Sequence, residues 1–130
     1  ELGRYSEAES LYQQALDLQR RLLGEEHPDV ARSLNNLAAL YKSQGRYSEA
    51  EPLYQQALEL RRRLLGEEHP DVALSLNNLG MSYADQGLYQ QAEPLLEQAL
   101  ELRLRLLGPE HPHTQTTQSN LENVRNAMNS

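Results

Sequence analysis

The side chains here with most capacity for chemistry are the histidines His27, His69, His111 and His113. Three of them stand in a His-Pro pair, at His27-Pro28, His69-Pro70 and His111-Pro112, each 42 residues from the next. Imidazole can ligate zinc or carry a proton near neutral pH. One histidine per helical repeat, however, leaves successive rings too far apart to share an ion. Only His111 and His113 are neighbours, with Glu110 beside them, and three residues around a proline do not make a zinc-ligand spacing. No metal site is expected, and the histidines read as occupants of the connections between helices. The sequence has no cysteine, which removes thiolate ligands, disulfides and thiol nucleophiles. No serine stands in a nucleophile elbow or in a recognisable pattern with His and Asp. No glycine-rich phosphate loop occurs. Neither an enzyme nor a cofactor is expected.

The second recurring polar group is the carboxamide. Asn36, Asn78 and Asn120 form a series with one member every 42 residues, and Asn35 and Asn77 precede the first two. An amide both donates and accepts, so it can pair with a peptide backbone whatever that peptide's side chains. The alternative role is a bond within a helix hairpin or between repeats. The Asn35–Asn77 series is broken by Ser119, which weakens its case.

What positions these groups is an internal repeat. Glycines at 3, 45 and 87, and again at 24, 66 and 108, share the 42-residue period. Residues 3–44 match residues 45–86 at 33 of 42 positions, and residues 87–112 match the preceding block at 19 of 26. Residues 113–128 keep only 2 of 16 matches, the behaviour of a terminal unit whose outer face meets water.

Each period holds two helical patterns. Val30, Leu34, Leu37, Ala38 and Tyr41 are spaced mostly by three and four. Tyr47, Ala50, Leu53, Tyr54, Ala57, Leu58, Leu60 and Leu64 form a broader apolar face. Both stretches lack glycine and nearly lack β-branched residues, which favours helix. Pro28 and Pro70 fit a first helical turn with Asp29 and Asp71 at the positive end of the dipole. Gly24, Gly66 and Gly108 suit left-handed C-terminal caps. Glu59 and Arg63 are an i,i+4 pair of the favourable order. Pro52 and Pro94 lie inside the long pattern, so that helix either starts late, near Glu49 and Gln91, or bends. The expected helices are about 4–23, 28–43, 47–65, 70–85, 89–107 and 113–128, one array over 1–130 with a degenerate last helix. The spacing of elements makes consecutive helices antiparallel neighbours.

Composition narrows the partners. With 12 basic and 19 acidic side chains the net charge is -7, spread without long runs, which argues against a nucleic-acid surface. The aromatics are all tyrosines, mostly at core-facing positions, and do not form a platform for stacked bases. No apolar run approaches the roughly 20 residues of a membrane span, and no leader pattern opens the chain. A cytoplasmic setting is expected, with no membrane partner. The chain opens at Glu1 in mid-pattern, so it is expected to be a piece of something longer.

The phrase from Leu34 through Ala57 resembles the tetratricopeptide repeat. Leu34, Leu37, Ala38 and Tyr41 match its first helix, Gly45 and Tyr47 its turn, and Ala50, Tyr54 and Ala57 its second helix. The set recurs at Leu76, Leu79, Gly80, Tyr83, Gly87, Tyr89, Ala92 and Ala99, with Leu96 in place of the second-helix aromatic. The common repeat has 34 residues; this 42-residue form, with its Leu-Asn-Asn-Leu and His-Pro-Asp-Val phrases, is similar to that of kinesin light chains. The resemblance implies an all-α, right-handed α-α superhelix of antiparallel helix pairs. It also implies a concave groove, lined by the first helix of each repeat, that takes an extended peptide or a partner's helix. By helix register Arg32, Asn35, Asn36 and Lys42 fall outside the core stripe, as do Leu74, Asn77, Asn78 and Met81 one period later. Asn120 follows in the last helix. Similar asparagines in the family contact ligand backbone. Some relatives clamp a C-terminal carboxylate with surrounding cations, but this groove offers only Arg32 and Lys42, so a partly apolar peptide fits better.

Two functions follow: a protein-binding scaffold, or a spacer that associates with itself through its end helices. The small residues Ala38, Gly80, Ala57 and Ala99 are expected where helix axes approach to about 8 Å. Replacing Ala57 with leucine should overpack that seam and cost about 1–3 kcal/mol, read as a lower midpoint in chemical denaturation.

Overall fold

The computed structural model describes residues 2–130, the side chain of Leu2 excepted. Six helices follow one another: α1 (Leu2–Leu23), α2 (Pro28–Ser43), α3 (Tyr47–Leu65), α4 (Pro70–Asp85), α5 (Tyr89–Leu107) and α6 (Pro112–Met128). The four inner helices keep the bounds read from the sequence. α1 begins earlier than position 4, and α6 begins at Pro112 instead of 113. All three His-Pro prolines occupy the first turn, where the N–H that proline lacks has no intrahelical partner in any case. No helix among the described residues is long and apolar enough to cross a membrane.

The connections show why the chain turns where it does. After α2, the Gly45 N–H bonds the Lys42 carbonyl at 2.9 Å and the Arg46 N–H bonds the Tyr41 carbonyl at 2.9 Å. Gly87 and Leu88 repeat this after α4 on Ala84 and Tyr83. This double bond pattern needs a left-handed residue just past the helix, and Gly45 and Gly87 supply it with φ of 75° and 78°. Gly108 also has positive φ, 87°, but its ψ is 165°. It therefore lies in the extended mirror region open almost only to glycine, not in the left-handed cap expected of it. Pro52 and Pro94 do not delay their helices, which start at Tyr47 and Tyr89. Each proline instead sits in the second turn on an exposed face, and the helix forgoes one N–H bond there.

Ion pairs tie the long loops down. Arg63 grips Glu26 through two bonds of 3.1 and 2.7 Å, while Glu59, one turn away as helix spacing led one to expect, adds its charge. Arg105 does the same to Glu68 at 2.5 and 3.2 Å. Each acidic partner precedes a His-Pro pair, so the pairs hold the approach to that helix against the following long helix. The two guanidiniums lie on the surface, where water and salt screen them, and their main effect is on loop geometry.

The helices fall into two compact units, one ending at Leu64 and the other running from Leu65 to Ser130. In the first, α1 packs on α2, and Leu16, Val30, Leu34, Leu37 and Ala38 are buried. In the second, α5 packs against both α4 and α6. Ala92, Leu96 and Ala99 of α5 are fully buried as a result, at 0% exposure. Leu121 and Val124 of α6 join Ala92 and Leu96 in one cluster, with Met81, Tyr83, Ala84, Tyr89 and Leu100 around it. Gly80 makes the close approach. A Cβ added there would stand 3.0 Å from Cγ and Cδ2 of Leu96, so a larger residue would make Leu96 shift by a few tenths of an ångström.

α6 departs from the repeat at the positions that pack in α4. Where α4 has Leu76, Gly80 and Tyr83, α6 has Gln118, Glu122 and Arg125, and all three are exposed. Arg125 reaches back to Glu93 at 2.9 Å and to Glu97 on α5. Truncating Leu96 to alanine should cost about 2–5 kcal/mol, because the cavity lies where α4 and α5 have least freedom to collapse. Urea unfolding followed by far-ultraviolet circular dichroism measures it.

Candidate binding surface

The histidines have a structural task. His27, His69 and His111 each precede a helix-opening proline, in extended backbone. In each, Nδ1 accepts the backbone N–H two residues on: Asp29 at 3.1 Å, Asp71 at 3.0 Å and His113 at 3.0 Å. A ring nitrogen that accepts carries no proton, so the bond selects the neutral tautomer with its hydrogen on Nε2. The recurring histidine is thus an N-cap satisfying one of the orphan donors of a helix start. Its place before a first-turn proline is a signal the sequence already carried. Among the described residues no three His, Asp or Glu side chains converge as a metal site would need.

The asparagines divide. Asn77, placed by register outside the core stripe, is buried at 8% exposure. Its Oδ1 accepts from Thr117 Oγ1 at 3.0 Å and from Asn120 Nδ2 at 3.2 Å, linking α4 to α6. Thr117 in turn accepts from Arg103 Nη1 at 2.7 Å, and the same Nη1 donates to the His113 carbonyl at 3.0 Å. Thr114 Oγ1 donates to the Arg103 carbonyl at 3.3 Å. The helices α4, α5 and α6 are therefore stitched by one polar chain: Arg103, Thr117, Asn77, Asn120. Asn120 closes it at the surface, half-buried, with one N–H committed to Asn77.

Arg103 is the most costly member. It is 4% exposed, and burial pushes its guanidinium pKa down. An arginine nevertheless keeps its proton in a protein, so the site holds a cation against neutral oxygens. Sequence reasoning passed over this residue, yet its register was informative: Arg103 follows Ala99 by four and falls on the apolar stripe of α5. In the first unit the equivalent link joins Ser33 Oγ as donor to Gln19 Oε1, neutral on both sides.

The remaining groove candidates lie as follows. On α2, Asn36 and Arg32 are exposed, while Asn35 and Lys42 are half-buried. Arg32 Nη2 is held by Asp29 Oδ1 at 3.2 Å. On α4, Asn78, Leu74 and Met81 are half-buried. Met81 packs against the Ala92–Leu96–Leu121–Val124 cluster, so its side chain is shared between core and surface. An open pocket of about 500 Å³ lies apart from the amides, lined by Gly87 to Gln91, Ala127 and Met128.

A polar cluster at the α1–α2 seam has the same stitching character. Tyr41 Oη donates to Glu9 at 3.1 Å and accepts from Gln13 Nε2 at 3.0 Å. Arg46 lies over the Tyr41 ring, 4.3 Å from its centroid, and pairs with Glu9 at 2.9 Å and Glu49 at 2.5 Å. Burial pushes the Tyr41 phenol up, keeping it protonated, and the bonds to Glu49 and Glu9 push the Arg46 guanidinium up. Neither group is poised to exchange a proton near neutral pH.

The tetratricopeptide-repeat model matches residues 1–63, 43–104 and 71–129. Among solved structures, BtubC (BKLC) from P. vanneervenii is 35% identical, with a TM-score of 0.89 over 98% of this chain and 51% of that one. The nearly identical, kinesin-light-chain-like TPR repeats from Podosopora anserina are 31% identical, with a TM-score of 0.88 over 98% of this chain and 60% of that one. The chain thus spans between half and two thirds of the length of these relatives. No curated protein matches the sequence.

Changing Thr117 to valine keeps the shape of the side chain but removes a donor to Asn77 and an acceptor for Arg103. The expected cost is about 1–3 kcal/mol in urea unfolding, with helix content unchanged. A midpoint equal to that of the parent would show that the polar chain contributes nothing to stability.

Proposed function

Because the chain belongs to the tetratricopeptide-repeat family, in its kinesin-light-chain-like variety, we propose that the asparagine-bearing faces of α2, α4 and α6 receive an extended peptide or a partner's helix. Solenoids of this family act as scaffolds for protein–protein interaction.

The observation that carries the reading is the tether on Asn120. Its amide is held by Asn77 Oδ1, itself fixed by Thr117. A carboxamide oriented in advance loses little rotamer freedom when it pairs with a ligand backbone, so more of the bond appears as affinity. Asn77 in this reading is a positioning residue. Asn120, Asn78 and Asn36 are the contacts, once per repeat, which suits a ligand read through its backbone. Leu74 and the outer part of Met81 favour apolar side chains beside it. Arg32 is engaged by Asp29, and this weakens any carboxylate clamp.

A peptide array probed with the 130-residue chain, followed by fluorescence anisotropy on the best binder, tests the proposal. Asn78→Ala with Asn120→Ala should lower affinity about tenfold, the loss of two hydrogen bonds of roughly 0.5–1.5 kcal/mol each. Binding indifferent to both changes, or no binder at all, would reject the amide surface as the site.

A further inference from the structure

Hydrogen bonds have a direction, and the polar chain through α4, α5 and α6 has its direction set at one end. Arg103 carries five N–H donors and no acceptor. Its Nη1 donates to Thr117 Oγ1 at 2.7 Å and to the His113 carbonyl at 3.0 Å. The Thr117 hydroxyl is buried at 0% exposure and receives a hydrogen from this side, so it must spend its own elsewhere. The acceptor within bonding reach is Asn77 Oδ1, 3.0 Å away.

The consequence passes along the chain of bonds. The two ends of a carboxamide are alike in size, and only what each end must give or take tells them apart. With a hydroxyl hydrogen aimed at it, the end of Asn77 beside Thr117 has to be the oxygen. Asn120 meets that same oxygen at 3.2 Å, so its contacting end has to be Nδ2. Two donors thus converge on Asn77 Oδ1, and the acceptor of Asn120 is left over. Asn120 makes no other bond among the described residues. The first unit shows what a different residue does in the place of Arg103. Gln19 stands two periods before Arg103, and Ser33 two periods before Thr117. There the hydroxyl donates to Gln19 Oε1. A glutamine in this place is a seat for the hydroxyl hydrogen, which an arginine never is.

We propose that Arg103 is a positioning residue that makes Asn120 present a free carbonyl oxygen, and that this oxygen takes a backbone N–H of an extended peptide. The ligand half rests on the amide surface proposed above, whereas the role of Arg103 rests on the free chain alone. An uncharged acceptor suits the N–H that every peptide unit except one ending in proline carries. Arg103 itself touches no ligand in this scheme. It acts through Thr117 and Asn77, by being unable to accept.

Hydrogen exchange of the side-chain amides, followed by NMR on the free 130-residue chain, tests the role of Arg103. The Asn120 amide proton bonded to Asn77 should exchange about fivefold or more slowly than in Arg103→Gln, where the new amide oxygen can take the Thr117 hydrogen. Arg103→Lys, again a donor without an acceptor, should keep the parental rate. Thr117→Val, which holds the shape and removes the hydroxyl, should lose protection as Arg103→Gln does. Equal protection in the parent and Arg103→Gln overturns the role of Arg103, as does equal loss in Arg103→Gln and Arg103→Lys, or protection that survives Thr117→Val. For the ligand half, each backbone amide of the best array binder is replaced in turn by an ester, which removes one N–H. One position should lose about fivefold in affinity for the parent and nothing for Asn120→Ala. A scan with no such position overturns the ligand half even where Asn120→Ala weakens binding. Binding indifferent to Asn120→Ala rejects the amide surface and the ligand half with it, while the exchange rates of the free chain still decide the role of Arg103.

Discussion

The contact on which the second unit depends is that between Gly80 and Leu96. Without a Cβ on Gly80, α4 approaches α5 until the leucine side chain fills the gap, and Leu96 loses all its exposure to water. The alanines at 92 and 99, also at 0%, allow equally tight contact along the rest of α5. A helix so closely flanked has no room for displacement, and its polar side chains must find partners where they stand. Arg103 does so through Thr117 and the His113 carbonyl, and the bond carries on to Asn77 and Asn120. The amide surface is in this sense a by-product of tight apolar packing.

Turn chemistry enforces the same geometry from outside. The histidine N-caps, first-turn prolines and positive-φ glycines leave each connection little choice of direction. Each supplies a backbone partner, or removes a backbone need, at a helix end. That economy explains why so few side chains outside the amide series remain to be explained by function. The loop glutamates that pair with Arg63 and Arg105 fit this picture, since they orient the strand of chain that ends in each capping histidine.

The ends of the chain handle exposure differently. α6 exchanges the apolar residues of its outer face for Gln118, Glu122 and Arg125 and uses the last to reach Glu93 and Glu97 on α5. α1 keeps the repeat's leucines, and Leu11, Leu18 and Leu22 are exposed.

Helix bounds and fold class were legible in the sequence because they follow from local rules acting within a few residues: apolar spacing, proline at a first turn, glycine past a last one. The 42-residue period multiplied each signal, and four of six helices matched to the residue. Local rules misjudged Asn77 and Gly108 and gave only part of the surroundings of Arg63. Register alone placed Asn77 outside the core, but its environment is decided by Thr117 and Asn120, 40 and 43 residues further on. Arg63 keeps the charge of Glu59 one turn away, but its hydrogen bonds go to Glu26 of another element, 37 residues distant. The sequence by itself determined which helices form and where the chain turns. The tertiary structure alone decided which polar side chains are consumed by packing, because that depends on donors and acceptors arriving from other helices.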